Sequence, residues 1–310
     1  MNFSNKAREL IRKQVIEWDL AAKNYGSLGK VKIKTFDFGD YHIDVQFNPE
    51  RIVSSAAKVD ALSIEKRPCF LCQNNLPPQQ RGLPIDDQYM VLVNPFPIFP
   101  EHLTIPNVLH TDQRISGNFE SMLNLAARLD DFIIFYNGPK CGASAPDHLH
   151  FQAGNKGFLP IENDFTNEKC CRKVRSVGGV TISHWQDYQR GIITLNSSDK
   201  IGLIDCFNTV YNKLQKIQHG ETEPMLNILA SFDNGEWIIH IIPRILHRPT
   251  QYFGTGDKQI ILSPASVDMG GVVITPREED FIKISEEDVR DIFRQVCFEP
   301  KALLTMINEL

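Results

Sequence analysis

The stretch APDHLHFQAG, Ala145 to Gly154, sets two histidines and a glutamine at alternate positions, with Leu149 and Phe151 between them. Residues i, i+2 and i+4 of a strand share a face, so His148, His150 and Gln152 are expected to point one way and Leu149 and Phe151 into a core. An amphipathic strand whose histidines see solvent fits this pattern as well as a catalytic edge does. The residues around it have to separate the two.

Upstream, Cys69-Phe-Leu-Cys72 lies in RPCFLCQNNLPPQQRGLP, Arg67 to Pro84, a stretch without period that reads as a loop. Such a knuckle can offer two thiolates to one tetrahedral Zn²⁺, with two further ligands to come from His102, His110 or His148. A redox pair or two buried thiols would give the same spacing. Asn94 ends a strand before Pro95 and could meet a ribose hydroxyl, or it is an ordinary turn residue. The loop from Asn137 to Ser144, punctuated by Gly138 and Gly142, could surround an anion with its N–H groups, Lys140 and Ser144, although most such loops are only turns. In the second half, WIIHIIPR puts His240 and Arg244 on one strand face, followed by His247 and Arg248; arginine forks suit phosphate oxygens, and surface ion pairs are the plainer alternative. Cys170 and Cys171, being adjacent, are expected to be structural, and Glu278-Glu279-Asp280 a solvated acidic turn.

Across 310 residues, 33 Lys and Arg stand against 38 Asp and Glu, for a formal net charge of -5, with 42% hydrophobic and 23% charged residues. That is a globular chain with enough core for about two domains. It lacks the basic surface that counterion release from nucleic acid requires, so no nucleic-acid partner is expected. The N-terminal MNFSNKARELIRKQVIEW mixes charge with helically spaced Leu10, Ile11, Val15 and Trp18, which predicts a helix rather than a secretory leader. No apolar run approaches the ~20 residues of a membrane helix, so no membrane partner is expected. Seven cysteines, an odd number, suit a reducing compartment, and a cytoplasmic location is expected.

Along the chain, Val31 to Pro49 alternates like a hairpin turning at Gly39-Asp40. Strands are expected near Met90 and from Leu103 to Ile105, separated by Pro95, Pro97 and Pro100. Phe119, Met122, Leu123, Ala126 and Leu129 predict a helix, and FIIFYNG a strand. A strand pair follows, around VGGVTISHW and GIITLN. The next helix carries Ile201, Ile204, Phe207, Val210, Tyr211, Leu214 and Ile217 on one stripe. NILASFDNGEWIIHIIPR predicts a hairpin at Asn234-Gly235, and Ser285 with Asp288 caps the last helix. Residues 1–173 and 174–310 thus read as two copies of one α+β unit, built from antiparallel sheets flanked by helices.

NGPKCGASAPDHLHFQA, PCFLC, VNPFPIFPEHLTIPNVLH and SPASVDMGGVVITPREEDF together resemble one branch of the histidine-triad superfamily. That branch contains galactose-1-phosphate uridylyltransferase, diadenosine tetraphosphate phosphorylase and GDP-L-galactose phosphorylase, and the resemblance spans roughly Arg67 to Phe281. It implies two histidine-triad-like halves. It also implies that His150 attacks the α-phosphorus of a nucleotide and that Gln152 binds the transferred phosphate. A structural zinc on Cys69, Cys72, His110 and His148 is implied as well. Hydrolases of the superfamily carry His-x-His-x-His, so Gln152 favours transfer. The chain departs from the family pattern at Asp147 and at Ala145, where a serine is usual; Ser144 stands one position earlier. The implied function is nucleotidyl transfer or phosphorolysis of a GDP-hexose-like nucleoside-diphosphate sugar or a dinucleoside polyphosphate, with phosphate or a sugar phosphate as acceptor. Asn94, Asn137, Lys140, Ser144 and Arg244 are the expected substrate contacts, and a homodimer is compatible. The alternatives are a hydrolase of the same superfamily and a non-catalytic, zinc-stabilised nucleotide binder.

Overall fold

The computed structural model describes residues 2–52 and 60–309. Its strands are, in chain order, β1 (Lys32–Asp37), β2 (His42–Phe47), β3 (Gly82–Pro84), β4 (Met90–Val93), β5 (His102–Pro106), β6 (Phe132–Asn137), β7 (His150–Asn155), β8 (Cys171–Val177), β9 (Val180–Trp185), β10 (Ile193–Ser197), β11 (Leu226–Asp233), β12 (Glu236–Pro243) and β13 (Val272–Thr275). Ten of them make one sheet, in the order β3-β4-β5-β7-β6-β11-β12-β10-β9-β8. Every neighbouring pair in it is antiparallel. Five strands before residue 156 and five after 170 meet where β6 pairs with β11, Asn137 opposite Asn227. The small sheet, β1-β2-β13, contains a parallel pair, because β13 reaches β2 from the far end of the chain rather than through a hairpin. The architecture is α+β, as the sequence predicts.

The run FIIFYN looks continuous because β6 is covered on both sides. Phe132, Ile134 and Tyr136 face one hydrophobic cluster, and Ile133 and Phe135 face the other. The first cluster lies under the helices Phe119–Arg128 and Lys200–Ile217, whose rings Phe119 and Phe207 stack at 3.8 Å. The second is closed by the small sheet, through Val45 and Val273, and by the helix Glu286–Val296. On β7, Phe151 and Ala153 belong to the first cluster, so His150 and Gln152 face the opposite side.

Local signals act as expected at several points. Asn234 and Gly235 both have positive φ, 49° and 87°, and turn β11 into β12 with Asp233 opposite Glu236. The Ser285 hydroxyl accepts from the Asp288 N–H while the Asp288 carboxylate accepts from the Ser285 N–H, closing a capping box.

Other expectations are corrected. The capped helix is followed by another, Pro300–Asn308. The stripe on Lys200–Ile217 ends early: Ile201 and Ile217 are 70% and 53% exposed, because packing stops about a turn short of each helix end. Glu278 to Asp280 open a short helix, and Asp280 is fully buried, where Arg277, Lys283 and the Ile261 N–H neutralise it. A buried carboxylate needs such partners, so the segment is not a solvated turn. Among the described residues no helix is long and apolar enough to cross a membrane.

Candidate active site

Cys69, Cys72, His110 and His148 converge, with their ligating atoms all within 4.8 Å of one another. The Cys69 carbonyl accepts from the Cys72 N–H and from Asn75 Nδ2, which folds the knuckle. His148 Nδ1 lies 3.2 Å from Cys69 Sγ and 3.6 Å from Cys72 Sγ, and His110 Nδ1 lies 3.1 Å from Cys72 Sγ. A tetrahedral zinc with Zn–S of about 2.3 Å and Zn–N of about 2.0 Å needs ligand-to-ligand distances of about 3.3–3.8 Å, and the three closest pairs here, at 3.1, 3.2 and 3.6 Å, come within about 0.2 Å of that range. The outer contacts fit too. His148 Nε2 faces the Asn107 carbonyl at 2.8 Å, which can only accept, so Nε2 carries the proton and Nδ1 keeps its lone pair for the cluster. His110 Nε2 lies 3.7 Å from the Asp147 carboxylate. Burial pushes the Cys69 thiol up, but His148 and the backbone N–H groups of Leu71 and Cys72 together outweigh this and bring it to about 7. Of the three histidine candidates, His102 is not in the cluster.

His102 instead serves Gln152. Its Nδ1 accepts from the Ile98 N–H, so Nε2 carries the proton and donates to Gln152 Oε1 at 3.1 Å. Asn94 Nδ2 also donates to that oxygen, at 3.3 Å. With its oxygen held twice, the glutamine presents its NH₂ group outward. His150 is fixed with equal care. Gln113 accepts from the His150 N–H and donates to the carbonyls of His150 and Asn137. His150 Nδ1 lies 2.8 Å from the His148 carbonyl, which forces the proton onto Nδ1 and leaves the lone pair on Nε2. Burial lowers this imidazole to about 4, so it is neutral at pH 7. The strand proper begins at His150. His148 sits in the turn before it, which lets the two neighbours serve different centres.

His150 and Gln152 line a cavity of about 660 Å³. Its wall includes Asn94, Asn137 and Ser144, as expected from the sequence, together with Trp18, Phe70 and Leu92. Asn137 Oδ1 is occupied by Ser266 and Asn227, which fixes the floor between the halves. Gly142, with φ of 94°, lets the loop run against Ala265; a Cβ there would lie 2.6 Å from the Ala265 Cβ. Asp268, also on the wall, accepts from the N–H groups of Ala265 and Ile274, and burial raises its carboxyl to about 6.

Two expected contacts are not brought to this cavity. Arg244 is fully buried and spends its guanidinium on Asn227 and on the carbonyls of Val296, Pro264, Leu246 and His247, so it ties loops together rather than facing a ligand. Lys140 is exposed and pairs with Glu221 at 2.7 Å, outside the cavity wall. Three other arginines line it instead: Arg51, Arg67 and Arg248. Arg51 donates to the Phe96 carbonyl, and its Nε is buried with no partner. Arg248 donates to Ser263 and lies over the Tyr252 ring. Only Arg248 carried a signal in the sequence, its place after the β12 strand pattern. Arg51, Arg67 and Gln113 carry none, because folding alone brings them to His150.

Two family models cover most of the chain: a domain of unknown function, DUF4922, at residues 10–155, and the GDPGP1-like, C-terminal domain at 161–305. No curated protein sequence matches. The crystal structure of yeast Ap4A phosphorylase Apa2 superposes with a TM-score of 0.65 at 20% identity, over 96% of this chain and 99% of that one. The same protein in complex with Ap4A matches with a TM-score of 0.62 at 20% identity, over 94% and 97%. In complex with AMP it matches with 0.62 at 19% identity, over 97% and 98%. At this level of identity the likeness is one of fold.

Proposed function

We infer that the chain shares the branch of the histidine-triad superfamily that holds galactose-1-phosphate uridylyltransferase, diadenosine tetraphosphate phosphorylase and GDP-L-galactose phosphorylase, a reading supported by the GDPGP1-like, C-terminal family model at residues 161–305 and by the fold shared with Apa2. From that premise we propose that it is a nucleotidyltransferase of the phosphorylase type. Its donor is a GDP-hexose-like nucleoside-diphosphate sugar or a dinucleoside polyphosphate, and its acceptor is phosphate or a sugar phosphate. Residues 1–173 carry the catalytic half and 174–310 its companion. Seven cysteines without a disulfide support a reducing, cytoplasmic setting.

The observation that carries this reading is the His150 imidazole: neutral, with its proton held on Nδ1 and its Nε2 lone pair left for the cavity it shares with Gln152. Nε2 attacks the α-phosphorus, and the electron pair of the broken P–O bond leaves on the departing phosphate. The acceptor oxygen then attacks the same phosphorus, and the N–P pair returns to Nε2. The Gln152 NH₂ group donates to the phosphoryl oxygens and the Arg51 guanidinium offsets their charge as it builds. An amide cannot exchange protons near pH 7, which supports an anionic acceptor over water. Cys69, Cys72, His110 and His148 would hold a structural zinc, whose part is to fix the knuckle and the turn ahead of β7.

Wild-type protein incubated with labelled GDP-hexose or diadenosine tetraphosphate, without acceptor, is expected to acquire an acid-labile label. His150→Ala is expected to lose the label and about a thousandfold or more of its turnover. Undiminished turnover in that variant overturns the mechanism. Release of nucleoside monophosphate irrespective of orthophosphate identifies a hydrolase instead.

A further inference from the structure

Arg67 precedes the metal knuckle, and its guanidinium is anchored on three sides. Nη2 donates to the Ser144 carbonyl and to Asp147 Oδ1, each at 3.2 Å, and the group lies 4.9 Å over the Phe70 ring. Of the two other nitrogens, Nη1 is buried with no hydrogen-bond partner. Leaving a charged donor unpaired and out of water is costly unless something in the cavity completes it. Arg67, Ser144 and His150 line the same cavity.

The two partly satisfied arginines flank different parts of that cavity. Arg51 lies on the Gln152 flank, where its charge adds to burial in holding down the His102 imidazole. Arg67 lies on the flank of the loop before His148. In-line displacement places His150 Nε2 and the leaving oxygen at opposite apices of the phosphorus. The vacated apex is also the one the acceptor enters, so one anion site serves both half-reactions.

We propose that Arg67 is the binding residue of that site: it holds the phosphate departing from the donor and then the phosphate of the acceptor. Its fork is set by the metal cluster. Arg67 stands two residues before Cys69, and its partner Asp147 stands one before His148 and faces His110 with its other oxygen. The inference rests on the transferase reading above and specifies where its anionic partners sit.

The test is calorimetric titration of the metal-loaded protein with inorganic tripolyphosphate and, separately, with AMP and GMP. Tripolyphosphate affinity is expected to fall about ten- to a hundredfold in Arg67→Ala and by less in Arg67→Lys, which keeps the charge without the fork, while nucleoside monophosphate binding stays within about twofold. The lysine variant keeps the test valid if the alanine variant does not fold, and metal content reports knuckle integrity. The proposal fails if wild type does not bind tripolyphosphate, if the variants bind it unchanged, or if both ligand classes weaken equally. A wild type that takes the covalent label, with Arg67 variants unaffected in tripolyphosphate binding, removes the Arg67 assignment alone. A wild type that takes no label, yet needs Arg67 for tripolyphosphate, removes the covalent mechanism alone.

Discussion

A glutamine amide can flip, and only one of its two orientations offers N–H donors to a phosphate. His102 settles the matter, because the Ile98 N–H occupies its Nδ1 and its Nε2 can then only donate, which holds the glutamine oxygen. His102→Phe keeps the bulk and removes the donor. Turnover is expected to fall about ten- to a hundredfold with a smaller change in KM, read by steady-state kinetics. An unchanged kcat would show that Asn94 alone orients Gln152. This role could not be read locally: His102 is as far from Cys72 in sequence as many zinc ligands are, and only β5 pairing with β7, Thr104 opposite Gln152, reveals its partner. The alternating spacing put His148 on the same strand face as His150, and the turn that gives His148 a different centre could not be read from it, because the strand starts only at His150. Arg244 was not legible either, because a buried arginine that clasps the carbonyls of remote loops has the same sequence signature as one waiting for phosphate.

The knuckle, the turn before β7 and the segment reaching His110 are three irregular elements joined by the four-residue cluster. Metal analysis is expected to find zinc on the purified protein. Chelation, or Cys72→Ser, should lower the thermal midpoint and speed amide exchange over residues 67–76 before it reaches β6. A melting curve indifferent to chelator would reject the structural role. The Asn234-Gly235 hairpin and the Ser285 cap were legible because each rests on local backbone chemistry. The acidic segment at Asp280 misled because its neutralising partners include the backbone of Ile261, which pattern alone cannot pair with it.

The molecule as a whole buries neutral histidines. Burial holds His102 and His240 near 3 and His247 near 4, against an ordinary 6.5. As pH falls from about 6.5 towards these values the unfolded chain binds protons that the native state refuses, so stability is lost on acidification. Asp268 and Glu223 work in the opposite sense. Burial raises them to about 6 and 7, so the native state holds their protons longer and their contribution is lost as pH rises through those values. The urea midpoint is therefore expected to peak near pH 6 and fall on both sides. A flat profile from pH 4.5 to 8 would contradict the burial of these groups. The repeated order of strands and helix made two related halves legible, whereas their fusion into one sheet depends on the distant pair β6 and β11. That fusion has a bearing on aggregation. The outer borders are blunted: β3 has three residues ending in Pro84, and β8 carries Arg172, Lys173 and Arg175 around a bulge. The inner borders, FIIFYN and LNILASFD, have no such protection. Either half alone would present an adhesive strand to its own copies, and each masks that hazard in the other.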